Sequence, residues 1–308
     1  MPPLVDVAVV TWNTRELTTR LLRRLVNSDQ GVPFRVVVHD NASTDGTVAA
    51  LRQALPEVEV SAGATNLGFA GGVNTVLARC RAPFLFPLNS DACPRPGTLG
   101  RLVAAAAAHE RVAAVAPRLV RPDGGLEHST YPFPSLAIAG LYASGLRERL
   151  PQRWADRLCL EGSWHHDRPR TVDWAFGAAL LIPRSTLDAV GGFDDSLFMY
   201  AEDVDWCWRA RRHGYRVWFE PGAVVEHVGN ASGAQAYGTS RRRHVMVNTQ
   251  RVYRRYRGAV SAEMFRRLNV RIARRVADQA RNRGDLQLAD EWWAIASEYR
   301  ALGRTIPT

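Results

Sequence analysis

Phe84-Leu85-Phe86-Pro87-Leu88-Asn89-Ser90-Asp91 reads as a short buried strand that runs out into three polar residues. An apolar run of this length, bounded by a polar turn, suits a strand covered on both faces better than a helix. The pattern recurs upstream. Val5 to Val10 ends in Thr11-Trp12-Asn13, Phe34 to His39 ends in Asp40-Asn41-Ala42-Ser43-Thr44-Asp45-Gly46, and Val58 to Ser61 leads to Asn66-Leu67-Gly68-Phe69-Ala70-Gly71-Gly72. Helices fit between these runs: Leu17, Leu21, Leu22 and Leu25 recur at helical spacing, Thr47 to Leu55 supports a second helix, and a third runs through Cys80. Strand, polar crest and helix in alternation predict an α/β fold, a mostly parallel central sheet flanked by helices, with every crest at one edge. Open sheets of this kind bind ligands beyond the carboxyl ends of their strands, where Asp40, Asn66 and Asp91 fall.

Downstream the pattern is less regular. Val112 to Val120 supplies another helix-to-strand passage, Arg121 to Gly125 a turn, and Tyr131 to Pro134 a broken, proline-bearing segment. Periodicity is poor from Ser144 to Arg170, which predicts a long loop that shapes a pocket. Phe176 to Ile182 restores an apolar run, and its Gly177, Ala178 and Ala179 permit close approach by another group. Gly191-Gly192-Phe193-Asp194 precedes Phe198-Met199-Tyr200-Ala201-Glu202-Asp203-Val204-Asp205, which opens a helix through Arg212 that stops at Gly214. Tyr215 to Phe219 and Ala223 to Val225 read as two short strands, with His227 after the second and the small-residue loop Gly229 to Gly233 beyond it. The tail is helical in three pieces. Around 264–277, Phe265, Leu268, Ile272 and Val276 share a face while Arg266, Arg267, Arg271, Arg274 and Arg275 occupy much of the rest, a basic amphipathic helix.

The chain has 308 residues, 46% of them hydrophobic, enough for one large core or two smaller domains and too apolar for disorder. Residues 1–240 carry 24 arginines against 24 acidic residues and 241–308 carry 16 against 6, so the net excess of +10 lies in the tail. Lysine is absent, and part of the arginine density is attributable to coding bias. A neutral body with a cationic tail still predicts an anionic partner such as phospholipid, a diphosphate-linked acceptor or nucleic acid. For nucleic acid, no recognised motif organises readout. Cys80, Cys93, Cys159 and Cys207 are scattered without a CxxC pair, which suits a reduced, cytoplasmic chain. Asp6 interrupts the first apolar stretch, so no leader is expected. Leu102 to Ala108 falls far short of a bilayer span, leaving peripheral attachment at the cytoplasmic face of the inner membrane as the membrane option.

The polar crests carry the candidate chemistry. One carboxylate beside an amide, as in Asn89-Ser90-Asp91, can hold Mg²⁺ or Mn²⁺ while a diphosphate completes the shell, and the same residues also suit an ordinary turn with Asp as a cap. His227 can complete a metal shell or contact phosphate if its second ring nitrogen is held, or serve as a structural histidine. His39, His128, His165, His166 and His244 have weaker placement. Glu202, Asp203 and Asp205 crowd a helix start, where capping explains one or two of them. Among Phe198, Tyr200, Trp206 and Trp208, a poised Asp203 could accept a proton from a substrate hydroxyl. Trp12 and Asp40 suit a nucleoside, the ring stacking on a base and the carboxylate accepting its N–H. Asn41, Ser43 and Asp45 suit the organisation of their own turn. Gly68, Gly71 and Gly72 can bring backbone near phosphate or sugar, but they form neither a dinucleotide fingerprint nor a phosphate-binding loop.

In order, Val9-Val10-Thr11-Trp12-Asn13, Asp40 to Gly46, Asn66-Leu67-Gly68-Phe69-Ala70, Leu88-Asn89-Ser90-Asp91, Gly191-Gly192-Phe193-Asp194, Glu202-Asp203-Val204-Asp205 and His227 resemble the family-2 glycosyltransferases, over roughly residues 4–230. Within them the set is similar to the bacterial rhamnosyltransferase-like branch. The resemblance implies a GT-A domain over 1–240, with a donor-binding part about 1–120 and an acceptor-binding part about 121–240, then a C-terminal helical region over 241–308. It implies an inverting, divalent-metal-dependent enzyme. The sugar moved would be rhamnose or another deoxysugar, carried on a nucleoside diphosphate, dTDP foremost. The acceptor hydroxyl would belong to a lipid-linked glycan or cell-envelope intermediate, with a small natural product, or a catalytically silent nucleotide-sugar-binding homologue, as alternatives. Trp12 would then lie beside the base and Asp40 on base or ribose, Asn66 and Asn74 would help form the donor pocket, and Thr11, Asn13 and Gly68 would be further donor-binding residues. Asp91 would meet the metal-diphosphate unit with Asn89 and Ser90 as neighbouring donor-binding residues, Asn89 either reaching the ion or only shaping the loop. Asp91 and His227 would ligate Mg²⁺ or Mn²⁺, with phosphate as the other partner for His227, and Asp203 would be the catalytic base. Asn89 departs from the family's usual Asp-x-Asp triplet by placing an amide first. The tail would meet an anionic membrane, or pack a helical subdomain or dimer through Tyr253, Tyr256, Phe265, Leu268, Trp292 and Trp293.

Overall fold

β1 (Val5–Thr11) lies at the centre of a five-stranded sheet, between β2 (Phe34–Asp40) and β4 (Phe84–Asn89), with β3 (Glu59–Ala62) outside β2. These four strands are parallel, and the short β11 (Ile182–Pro183) adds an antiparallel edge beside β4. The computed structural model describes residues 2–161, 164–229 and 241–302. β1 is buried along nearly all its length, as a strand covered on both faces by crossover helices must be. Those helices are α1 (Arg15–Val26), α2 (Thr47–Ala54), α3 (Gly68–Leu77) and α4 (Thr98–Ala108). Val5, Val7 and Val9 meet Leu22 and Leu25 of α1, Leu51 of α2, and Leu99 and Leu102 of α4 in one core. Asp6, the polar interruption in the first run, is wholly buried. It pairs with Arg35 at 2.9 Å and accepts the backbone N–H groups of Arg81 and Ala82 at 2.7 and 2.9 Å, tying the approach to β4 against β1. Burial opposes its charge, but these partners outweigh that and hold the carboxyl below the usual range.

A second sheet continues from the crest that follows β4. It orders β5 (Ala92–Pro94), β12 (Arg216–His227), β6 (Val112–Val120) and β7 (Leu126–Glu127), with β9 (Arg170–Val172) also pairing β12. β8 (Thr130–Tyr131) and β10 (Trp174–Ala175) form a two-stranded ladder, and α7 (Arg184–Val190) and α8 (Glu202–Arg212) complete this part. The two short strands expected around Tyr215 and Ala223 are one strand, β12, whose register against β6 slips between Glu220 and Val224, an irregularity that lets it continue past Gly222.

By its internal contacts the chain divides into two compact units: Met1–Pro132 with Cys159–Ala236, and Phe133–Leu158 with Tyr237–Thr308. The second unit contains α5 (Leu136–Ser144), α6 (Gln152–Arg157), α9 (Arg241–Arg257), α10 (Ala259–Asn282) and α11 (Leu286–Leu302). Residues 133–158, assigned from sequence to an acceptor half and partly to a pocket-shaping loop, are instead largely helical and belong to this unit. α10 also presents a different stripe from the one expected. Ala262, Phe265, Val270, Ala273, Ala277 and Ala280 are buried, whereas Leu268, Ile272 and Val276 are half-buried, because small residues let neighbouring helices approach closely. Tyr253 of α9 stacks on Phe265 with ring centroids 4.2 Å apart. Among the described residues no helix is long and apolar enough to cross a membrane.

Candidate active site

The register aligns the crests: Thr11 is opposite Asp40, Val10 opposite Asn89, and Asp40 opposite Ala62. Beneath the first crest the buried hydroxyls of Thr11, Thr14 and Thr18 interlock at 2.9 to 3.1 Å, and Thr14 reaches Ser90 at 3.4 Å. Asn13 joins the first two crests, its N–H donating to Ser43 Oγ and its Oδ1 accepting the Thr44 N–H, each at 2.8 Å. Trp12 is half-buried just past β1. Asp40 is 1% exposed; its Oδ2 accepts the Ser43 N–H at 2.8 Å, while its Oδ1 is buried without a hydrogen-bond partner among the described residues. Leaving such an oxygen unpaired costs about 1–3 kcal/mol, which a donor N–H from a bound base would recover.

The third crest turns out to organise itself. Asn66 Oδ1 accepts the Gly68 N–H at 2.9 Å, and Asn41 Nδ2 donates to the Gly68 carbonyl at 2.9 Å. Gly68 has φ +71°, and a Cβ there would fall on the Phe198 carbonyl, so the fold itself requires this glycine. Asn74 is a clamp: its amide nitrogen donates to the Phe193 carbonyl at 2.7 Å and its oxygen accepts the Phe193 N–H at 2.9 Å. Both ends are spent on the turn after Gly192, which pins α3 to the segment leading into α8.

At the fourth crest two elements bring their ends together. β12 pairs antiparallel with β5, His227 opposite Ala92, and Val228 N–H donates to the Asp91 carbonyl at 2.9 Å. His227 Nε2 then lies 3.2 Å from Asp91 Oδ1 and 3.4 Å from Asn89 Nδ2, while Nδ1 meets Glu127 Oε2 at 2.8 Å. Burial disfavours charge on this ring, but the hydrogen bonds to Asp91 and Glu127 outweigh it and push the histidine up to about 9. Glu127 was missed in the sequence. The Asp123-Gly124 turn signal between β6 and β7 could have found it, since a hairpin there sets Glu127 opposite Leu119. Beyond Gly229 the small-residue loop lies outside the described residues.

Asp91 supplies a hard carboxylate oxygen and His227 Nε2, once a cation displaces the proton it shares with Asp91, an imidazole nitrogen at the same point, with Glu127 holding the other ring nitrogen as ligating histidines usually require. Among the described residues no group of three or more His, Cys, Asp or Glu is arranged to hold a metal ion. The pair nevertheless fits a divalent cation that takes one or two protein ligands and completes its shell with water and substrate phosphate.

The acidic start of α8 separates into distinct environments. Asp205 is fully buried and pairs with Arg209 at 3.0 Å, and Arg209 also donates to the Val190 and Gly192 carbonyls at 2.8 and 2.6 Å, so this pair is structural. Asp203 Oδ2 accepts the Gly177 N–H at 3.1 Å and its Oδ1 accepts the Val204 N–H at 2.8 Å. Burial pushes Asp203 up to about 6 against those two bonds. Glu202 is buried, its Oε2 has no hydrogen-bond partner among the described residues, and burial plus the neighbouring Asp203 charge push it well above the ordinary carboxylate range. Gly177 is one residue before Ala178, whose carbonyl accepts the Asn89 N–H at 2.9 Å. The segment that holds Asp203 therefore runs along the strand that ends in Asn89-Ser90-Asp91. Next to Gly177, Phe176 joins Trp174 and Tyr131 in an aromatic group, with Tyr131 stacked on Trp174 at 4.9 Å.

Residues 6–157 match the family described as Glycosyl transferase family 2. An N-acetylglucosaminyl-diphospho-decaprenol L-rhamnosyltransferase of Mycobacterium tuberculosis is 31% identical over 246 residues, covering 76% of this chain and 79% of that protein. A pre-mycofactocin glycosyltransferase of the same species is 35% identical over 211 residues, 67% of this chain and 39% of that one. The mannosyltransferase PcManGT of Pyrobaculum calidifontis, solved with GDP-Man and Mn²⁺, is similar with a TM-score of 0.57 at 19% identity, over 99% of this chain and 87% of that one. GalNAc-T7, solved with UDP, GalNAc and Mn²⁺, has a TM-score of 0.59 at 14% identity, over 96% and 55%. The fold is the GT-A architecture, and the chain belongs to the family-2 glycosyltransferases. Within that family it is a glycosyltransferase related to the bacterial rhamnosyltransferases.

Proposed function

We propose that the enzyme transfers a deoxyhexose, rhamnose foremost, from a dTDP-sugar to a hydroxyl of a lipid-linked glycan, with inversion at the anomeric carbon. The observation that carries this reading is the tether from Asp203 through Gly177 and Ala178 to Asn89, beside the crest that bears Asp91 and His227. Donor contacts fall in the part about 1–120: Trp12 stacks on the base, the unpaired oxygen of Asp40 accepts its N–H, and Thr11, Asn13 and Ser90 keep the crests in register. Asn66, Gly68 and Asn74 shape the donor pocket through backbone positions. Asp91 and His227 would hold Mg²⁺ or Mn²⁺, with Asn89 adjoining. When bound, the cation stabilises negative charge on the departing diphosphate.

Asp203 takes the proton of the acceptor hydroxyl as its oxygen bonds to the anomeric carbon, and the electron pair of the breaking bond leaves with the diphosphate. The hydroxyl oxygen attacks the face of the anomeric carbon opposite the nucleoside diphosphate in a single displacement, so configuration inverts without a covalent bond between chain and sugar. General-base assistance of this kind contributes roughly 10²- to 10⁴-fold. Tyr131, Trp174 and Phe176 offer apolar ring faces beside the base for an acceptor sugar. The name of the M. tuberculosis rhamnosyltransferase supports a diphosphate-linked lipid acceptor, and the pre-mycofactocin relative supports a small-molecule acceptor as the second reading. The arginine excess of the C-terminal helical region supports a peripheral position at an anionic membrane face.

Incubation with a panel of nucleotide-sugars and of lipid-linked, glycoside and small-molecule acceptors, with products read by mass spectrometry and anomeric configuration by NMR, tests this. The expected product is an inverted deoxyhexoside on a lipid-linked glycan, formed with Mg²⁺ or Mn²⁺ and lost on chelation. Retained configuration, or full turnover in metal-free enzyme, would contradict the mechanism.

A further inference from the structure

The second unit carries 20 arginines against 8 acidic residues, whereas the first carries 20 against 22. Within that unit a cavity of about 390 Å³ opens between the last turn of α5 and α10. Arg271, Arg274 and Arg275 line it from α10, with Asp278 as the carboxylate in the same wall and Ser144 on the α5 side. Residues spaced i, i+3 and i+4 face the same way on a helix, so three guanidiniums repel one another there. Their compensation is incomplete. Arg275 meets Glu148 at 3.3 Å and lies on Gly145, where a Cβ would strike the guanidinium. Arg271 makes no ion pair among the described residues. Arg274 sits 5.9 Å from the Trp293 ring centroid and has a buried Nε without a hydrogen-bond partner.

We propose that this cavity is a phosphate-binding site that takes a phosphate monoester or diphosphate group. Guanidinium forks match phosphate oxygens in pairs, and a dianion removes the repulsion along α10 while giving Arg271 and Arg274 the partners they lack. The group comes from a lipid headgroup or from a soluble phosphate compound. Leu146, 53% exposed, follows Ser144 of the lining by two residues, and Trp154, Leu158, Val260, Met264 and Leu286 are further exposed apolar residues of this unit, as a lipid headgroup source would require. The site is independent of the assignment of base and metal ligands in the other unit.

The test uses the full chain in EDTA, so that no cation-mediated diphosphate binding contributes. Inorganic pyrophosphate is titrated calorimetrically, and vesicles of phosphatidylcholine with or without phosphatidic acid are co-sedimented. Arg271→Gln with Arg274→Gln is expected to weaken binding in at least one arm by about tenfold or more. Arg281→Gln with Arg283→Gln, an equal charge loss at exposed positions of the same unit, is expected to change it by less than about twofold, and Asp278→Asn to strengthen it. Loss of pyrophosphate binding identifies a soluble ligand class, and loss confined to phosphatidic acid vesicles identifies a headgroup. An unchanged denaturation midpoint shows that the variants fold. Equal weakening by both double variants, or no binding in either arm, overturns the proposal.

Discussion

A carboxylate that must take a proton from an alcohol works best when its own proton affinity lies near the working pH, and burial moves Asp203 in that direction. The sign follows. The base acts ionised, so transfer at saturating metal and donor should be present above about pH 6 and fall as pH drops through about 6. The same shift has the opposite effect on stability. The folded state holds this proton more tightly than the unfolded chain, so the contribution is greatest below the usual carboxylate pKa and is lost as pH rises through about 6. A pH–rate profile whose acid limb falls near pH 4 would remove the shifted group from the reaction. Glu127 acts at one remove, through the ring it holds at 2.8 Å. Glu127→Gln is expected to raise the Mn²⁺ concentration needed for half-maximal transfer by about 10- to 100-fold with little change in the saturated rate. An unchanged metal requirement would make that contact merely structural.

Among the elements, β1, β2 and β4 were legible because each is an apolar run ending in polar residues, and β3, half polar itself, was legible from its place between two helices. That alone places Asp40, Asn66 and Asp91 on one edge. β5 and β7 to β11 were not legible, since two- and three-residue strands leave no periodicity, and Glu127 stayed hidden with its hairpin. The Glu202-Asp203-Val204-Asp205 cluster could be located but not sorted. Only packing reveals that Asp205 serves Arg209 while Asp203 meets Gly177. Gly68 and Asn74 likewise read as pocket residues, and only the structure displays their backbone duties toward Phe198 and Phe193. Arg209→Ala removes the ion-pair partner of a fully buried Asp205 and takes a donor from the Val190 and Gly192 carbonyls, which should cost about 3 kcal/mol, read by chemical denaturation. A loss below about 0.5 kcal/mol would mean the turn before α8 holds without this staple.

Across the whole molecule, charge separates more cleanly by structural unit than by sequence position. Residues 133–158 join the C-terminal helices only through tertiary contacts, which no window of sequence displays. Long-range attraction between the basic unit and an anionic surface is screened by salt. Co-sedimentation with phosphatidylglycerol vesicles should therefore fall steeply between about 0.05 and 0.5 M salt, where the Debye length shrinks severalfold. Salt-independent sedimentation would assign membrane contact to apolar residues alone.

If Asp203 is the base, the crest binds the donor without it. Asp203→Asn measured two ways on one preparation tests this most directly: donor affinity with Mn²⁺ by calorimetry, and product formation by mass spectrometry. Donor affinity should stay within a few-fold of the parent enzyme while transfer falls by at least about 10²-fold. Near-parental turnover in the folded variant would contradict it.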